Sequence, residues 1–272
     1  MRKTFGLIAL VALAGIPGLA QAGPIYGWDW VNPGPGVFSN NGGRINWVES
    51  EFDTNTNHLR YTANFGQSNS KLRTDGFTLA LSGGPNPNGA EGQLALLYFD
   101  GEDAFAGNGP AILTAYGYNG LDAQNSYLDG SAQAGIQTPD RILTSRSGPL
   151  DWLYDLSAVT EANGTRTMSF EIDVTPIQGY VPGNVSPYQT DWFGIGYGEK
   201  VGVWMHTFSG LSTNYQNDYL LGWSFRSQGY LDGANFDTTV TEPVPEPGSL
   251  ALLGLGLSLV GGAASRRRRK RS

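Results

Sequence analysis

Through the middle of the chain, apolar and polar side chains alternate with a period of two. The clearest run is Thr167 to Thr175: Met168, Phe170, Ile172 and Val174 fall on one side of an extended strand, and Thr167, Ser169, Glu171, Asp173 and Thr175 on the other. Such a strand has one packed face and one wet face, which is what a sheet in a two-layer sandwich requires. The same rhythm predicts strands over 44–52, 58–65, 76–82, 92–99, 152–159, 165–175, 193–197, 201–208 and 219–227. Turn formers separate them, notably Asp53-Thr54-Asn55-Thr56-Asn57, the Gly/Pro/Asn run 83–89, and Ala162-Asn163-Gly164, whose Asn-Gly pair accepts the positive φ of a tight hairpin. No segment of 23–243 sustains helical spacing or a fixed-period repeat. The expectation is an all-β chain with a single β-sandwich or jelly-roll domain over 23–236, followed by a stiff, Pro-rich linker over 237–247. Trp47, Trp152, Trp204 and Trp223 lie within predicted strands and are expected in the core.

Both ends break the rhythm. Arg2 and Lys3 precede an apolar run over 5–13, then Gly15-Ile16-Pro17-Gly18 and Ala20-Gln21-Ala22. A basic start, an apolar stretch too short to cross a bilayer and small residues at Ala20 and Ala22 meet the requirements of a secretory signal peptide over 1–22, cleaved after Ala22. At the other end, Pro245-Glu246-Pro247 precedes an uncharged stretch over 248–264, 17 residues long. As a helix it would extend about 25 Å, the short limit for a transmembrane segment. The basic tail 265–272 follows, and its Arg266, Arg267, Arg268, Arg269, Lys270 and Arg271 are expected on the cytoplasmic side.

In this order and spacing the three C-terminal parts resemble the PEP-CTERM sorting signal of Gram-negative bacteria. The resemblance covers 244–272. It implies that Pro245, Glu246 and Pro247 form the recognition motif and that Arg266 to Arg271 form the retention cluster. It also implies that an exosortase, a membrane-embedded cysteine transpeptidase, recognises the tail after the secretion machinery has exported the chain. Proteins with this signal are associated with the cell surface and the exopolysaccharide matrix of biofilms. The central domain is in turn similar to concanavalin A-like jelly rolls, through its strand rhythm and Gly229-Tyr230-Leu231-Asp232.

Composition agrees with an exported β domain. Gly 39 and Pro 15 disfavour long helices, and the aromatic content of 12% favours strands. The absence of cysteine excludes a disulfide framework, Cys-ligated metal and a Cys nucleophile. Residues 23–243 hold nine basic and 23 acidic side chains, a net charge of −14 that the signals mask in the whole-chain value of −7. Such a domain repels nucleic acid and anionic lipid.

Four sets of residues could carry chemistry. Glu171-Ile172-Asp173 matches the start of the Glu-x-Asp pattern in laminarinase-type jelly-roll glucanases, but Val174, Thr175 and Pro176 supply no third carboxylate to protonate a leaving oxygen. Asp100-Gly101-Glu102-Asp103, with Asn108 nearby, offers oxygens for calcium without the spacing of an EF-hand. Tyr116, Tyr118 and Tyr127 lie in a Gly/Asn/Asp-rich stretch, as do Tyr180, Tyr188 and Trp192, and Tyr215 and Tyr219. Aromatic faces exposed on loops there would stack on sugar rings. His58 and His206 are the two histidines, and with no Gly-x-Ser-x-Gly elbow they are expected to be structural. Asn163-Gly164-Thr165 and Asn184-Val185-Ser186 match glycosylation acceptors, the first also a plain turn. The expectation is a non-enzymatic surface or matrix protein with a structural or adhesive role, no catalytic residues and no cofactor apart from candidate calcium. A lectin-like module for extracellular polysaccharide and a jelly-roll glycan hydrolase are the alternatives.

Overall fold

Among the described residues, 23–32, 44–67, 73–87, 93–117, 140–181 and 192–241, the alternation becomes strands in the computed structural model. They are β1 (Ile25–Val31), β2 (Arg44–Asp53), β3 (His58–Gly66), β4 (Thr74–Ser82), β5 (Ala95–Asp100), β6 (Ile112–Gly117), β7 (Asp140–Thr144), β8 (Leu153–Thr160) and β9 (Arg166–Asp173). Then follow β10 (Lys200–Ser209), β11 (Ser212–Gln216), β12 (Tyr219–Ser224), β13 (Ser227–Asp237) and β14 (Thr239–Thr241), with two short helices, α1 (Glu102–Ala106) and α2 (Thr175–Gln178). The chain divides into two units, Pro24–Glu242 and a second made of Met1–Gly23 with Pro243–Ser272. The signal peptide, the sorting motif, the segment 248–264 and the basic tail lie outside the described residues. Among the described residues no helix is long and apolar enough to cross a membrane.

Two six-stranded antiparallel sheets and a two-stranded hairpin, β11–β12, make up the described part of the Pro24–Glu242 unit. Sheet A has the order β14-β1-β2-β3-β9-β8, and sheet B the order β13-β10-β4-β5-β6-β7. Their inner faces share one core: Trp28, Val48, Phe52, Tyr61, Phe65, Phe170 and Ile172 from sheet A meet Phe77, Leu97, Phe99, Leu113, Val203 and Met205 from sheet B. The Tyr61 ring lies 6.0 Å from Phe77, and its hydroxyl donates to the Met205 sulfur at 3.4 Å. In β9 Met168, Phe170 and Ile172 are buried and their neighbours partly wet, as the two-residue period requires. The hairpins also follow the sequence. Asn57 adopts φ 55° between β2 and β3, and Gly164 adopts φ 82° between β8 and β9, where Asn163 accepts the Thr165 N–H at 2.9 Å.

Sheet B departs from simple alternation because both of its faces are covered. The β11–β12 hairpin lies over the outer face and encloses Tyr98, Tyr116, Phe208, Leu220 and Trp223 in a second apolar cluster. Every residue of β5 and β6 is buried, so β6 shows no alternation for a sequence reading to find. Trp152, Trp204 and Trp223 are buried, as expected, whereas Trp47 is only partly covered beside the irregularity between Ile45 and Trp47.

Three expectations are corrected. Residues 193–197 form no strand; Gly194, at φ 75°, makes a single bridge to Leu94. The strand expected over 219–227 is split: β12 ends at Ser224 and β13 begins at Ser227, running through a stretch rich in Gly and Asn where Asn235 takes φ 56° and the register on β10 shifts. The Phe236 ring lies against Gly233, where any side chain would have to displace it. Finally, Thr239-Val240-Thr241 is not linker. It pairs with β1, Gly27 opposite Thr239, Tyr26 opposite Val240 and Ile25 opposite Thr241, so any linker starts after Thr241.

Candidate functional site on the outer face of sheet A

The wet positions of β1, β2, β3, β9 and β8 carry most of the chemistry. Antiparallel register lines up Gly27, Glu51, Arg60, Glu171 and Asp155 in one row across five strands. In the next row Asp29 stands opposite Glu49, Glu49 opposite Thr62, and Thr62 opposite Ser169. Arg60 occupies the centre: its guanidinium meets Glu51 Oε1 at 2.6 Å and Glu171 Oε2 at 3.1 Å. His58 Nδ1 lies 3.5 Å from Glu171 Oε1, and the His58 ring packs on Tyr154 at 4.4 Å. The Arg60 hydrogen bond, reinforced by His58, holds the Glu171 carboxyl below its ordinary range, and the two glutamates raise Arg60 in turn. One guanidinium thus pairs with two carboxylates and leaves the trio one unit negative. Asp29 and Glu49 face each other as like charges, an arrangement that disfavours the pair and attracts cations.

This face contains a depression of about 360 Å³ between β14 and β3, lined among others by Asp29, Glu49, Glu51, Arg60, Thr62 and Thr239. Its floor is tied to the core: Ser50 Oγ donates to the Arg60 carbonyl at 3.1 Å and accepts from the buried Tyr197 hydroxyl at 2.8 Å. The depression offers carboxylates, hydroxyls and one cation, which suits hydrogen bonding to a polyhydroxylated or amine-bearing ligand.

The residues singled out in the sequence fare differently. Glu171 is committed to Arg60 and His58, while the Asp173 carboxylate accepts the Thr175 N–H at 2.8 Å at the entry to α2. Asp100 is buried at 4% exposure and accepts from the Glu102 N–H at 3.0 Å and the Tyr215 hydroxyl at 3.0 Å. Burial pushes its carboxyl up, and burial likewise raises Glu102. Glu102 and Asp103 form the first turn of α1. Among the described residues no three His, Asp or Glu side chains converge as a metal cage requires.

Tyr116 is not on a loop. It sits in β6, fully buried, where its hydroxyl donates to the Leu220 carbonyl and accepts the Leu220 N–H, both at 3.2 Å. The ring is packed under the β11–β12 hairpin and presents no face to a sugar, which corrects its expected exposure; Tyr118 and Tyr127 lie outside the described residues. Other loop aromatics are also used internally. Tyr180 donates to Asp140 at 2.8 Å, and Trp192 donates to the Ile177 carbonyl at 3.0 Å. The Arg146 guanidinium stacks on Tyr215 at 4.4 Å, and that of Arg141 on Tyr219 at 3.7 Å. His206 lies mid-strand in β10, stacked on Tyr230 at 4.2 Å with Nε2 2.8 Å from Gln228 Oε1, and burial lowers its pKa to about 4.

Alternation places Glu171 and Asp173 on the wet face but does not single out Asp29, Glu49, Glu51 and Arg60. The alternation in β2 puts Glu49, Glu51 and Asp53 on one side; their meeting with Arg60 and Asp29 depends on inter-strand register, which alternation alone does not encode.

Comparison with known proteins bears on the C-terminal end. A family model described as the PEP-CTERM protein-sorting motif matches residues 243–269. The segment therefore carries this motif, which implies recognition by an exosortase during export and marks the chain as a surface protein targeted by that enzyme. No curated protein and no solved structure matches the chain.

Proposed function

We propose that the sandwich is a non-enzymatic structural or adhesive module, exported by the general secretory route, passed to an exosortase through its tail and delivered to the cell surface or extracellular matrix. The observation that carries this reading is the sorting motif over 243–269, which addresses a folded domain to the surface without specifying a reaction. The wet face of sheet A supports it. Glu171 is paired with Arg60, and Asp173 accepts the Thr175 N–H in the turn before α2, so the two carboxylates that match the start of the glucanase pattern are engaged in holding strands and turns together. A glycosidase also needs a carboxylic acid to protonate the leaving oxygen, and Val174, Thr175 and Pro176 supply none on this strand.

Fractionation of the native host with and without its exosortase tests the reading. The expected result is a surface fraction lacking the basic tail in the first case and a full-length, membrane-held chain in the second; identical distributions would overturn it.

A second reading, polysaccharide binding, is favoured by the depression between β14 and β3, whose carboxylates and hydroxyls suit a sugar polymer better than an apolar ligand. Pull-down of the mature domain with matrix polysaccharide tests it. Binding that weakens at least tenfold in Asp29→Asn/Glu49→Gln supports this reading, and no binding by the native domain removes it.

A further inference from the structure

The first and last strands of the sandwich are neighbours, and the last one is short. β14 contributes three residues to the edge of sheet A, all exposed, and pairs with β1 alone. Its attachments are the ladder to Ile25–Gly27, a hydrogen bond from the Thr239 hydroxyl to the Gly27 carbonyl at 3.2 Å, and an anchor one residue earlier. In that anchor Thr238 donates through its hydroxyl to Gly198 at 2.8 Å and through its N–H to Glu199 at 3.2 Å. Everything upstream is held far more firmly: Phe236 packs on Trp28 at 5.6 Å, and β13 runs the length of β10. An edge strand with solvent-exposed backbone bonds and no buried apolar side chain opens at low free-energy cost, independently of the core.

β14 also governs the reach of the sorting motif. With Thr241 fixed in the sheet, four Cα steps lead to Pro245, at most about 14 Å even when fully extended. If the strand peels back to Thr238, seven steps are free and the reach becomes about 25 Å.

We propose that β14 is a releasable strap: paired with β1 it leaves Pro245-Glu246-Pro247 only a four-step tether to the sheet, and exosortase processing uses the peeled state with the longer tether. The proposal rests on the sorting reading of 243–269. It requires no change in the sandwich core, since β1 remains paired with β2 from Ile25 to Val31 when β14 leaves.

The absence of cysteine allows a clean test. A Cβ built at Gly27 falls 2.7 Å from the Thr239 side-chain oxygen, close to the spacing of Cβ and the opposing sulfur in a disulfide, so Gly27→Cys/Thr239→Cys locks the strap. Ile25→Cys/Thr241→Cys gives a second lock from the neighbouring register pair. Each full-length double variant is followed by pulse-chase in the native host with and without dithiothreitol, reading tail removal by mass, and the melting temperature of the oxidised domain reports that it is folded. The expected result is tail removal at least tenfold slower for the oxidised form, with the native rate restored on reduction. Equal rates for the oxidised and reduced forms of either lock, in a domain that melts at or above the native temperature, overturn the strap. Failure of the unmodified chain to be processed at all overturns the sorting reading instead.

Discussion

His206 gives the domain a pH response that can be assigned to one side chain. Burial against Tyr230 and Phe208 disfavours the imidazolium and lowers the folded pKa to about 4 from 6.5. The unfolded chain therefore takes up this proton first as pH falls. Stability contributed by the neutral ring is fully present above pH 6.5, declines below it, and is lost as pH passes through 4, a loss on the order of 2–3 kcal/mol. Urea unfolding of His206→Phe should show a flatter pH dependence across that window than the native domain. Arg60 gives a second residue-level expectation. In Arg60→Gln the Glu171 carboxyl, now held low chiefly by the Arg60 hydrogen bond, should titrate at higher pH when followed by NMR, with a stability change within about 1 kcal/mol because the pairs lie at the surface. In the core, Phe77 stacks on its β5 neighbour Phe99 at 5.1 Å on the inner face of sheet B, and Phe77→Ala should cost about 3–5 kcal/mol in chemical denaturation.

Among the elements, the β11–β12 hairpin explains why some strands were legible in the sequence and others were not. β2, β3, β8 and β9 belong to a sheet with one dry and one wet face, so alternation located them to within a residue or two. β6 is dry on both sides because the hairpin covers it, and its apolar run carries no period that separates strand from buried loop. β13 and β14 were missed for another reason: Gly229, Gly233 and Asn235, and then Thr-Val-Thr before a Pro-rich stretch, resemble turn and linker composition, and only pairing with β10 and β1 makes them strands. The site was legible by face and illegible by row, since Glu51, Arg60 and Glu171 come together through register alone. The hairpin is itself pinned through Tyr116. In Tyr116→Phe both backbone groups of Leu220 lose their buried partner, an expected cost of about 1–3 kcal/mol. Hydrogen exchange should quicken across Ser212–Ser224 before it does in the sandwich core.

At the level of the whole molecule, charge and address agree. The stretch 23–243 carries a net charge of −14, while eight of the 17 basic side chains lie in the two end segments. Processing at both ends is therefore expected to leave a strongly acidic product, whose isoelectric point should fall well below the whole-chain value of about 4.8 when the mature form is focused beside the precursor. An acidic domain of this kind stays dispersed by self-repulsion and accumulates cations along sheet A.

The pairing of Ile25 with Thr241 also makes the polypeptide of the sandwich nearly a closed ring. A two-residue Asn-Gly turn suffices to splice antiparallel neighbours of this kind. Fresh ends can then be opened in the exposed bend at Ser147-Gly148, where Gly148 takes φ 86°. Such a circular permutant should keep the native circular-dichroism spectrum, and it would carry cargo fused at a corner distant in sequence from the one that nature uses for export.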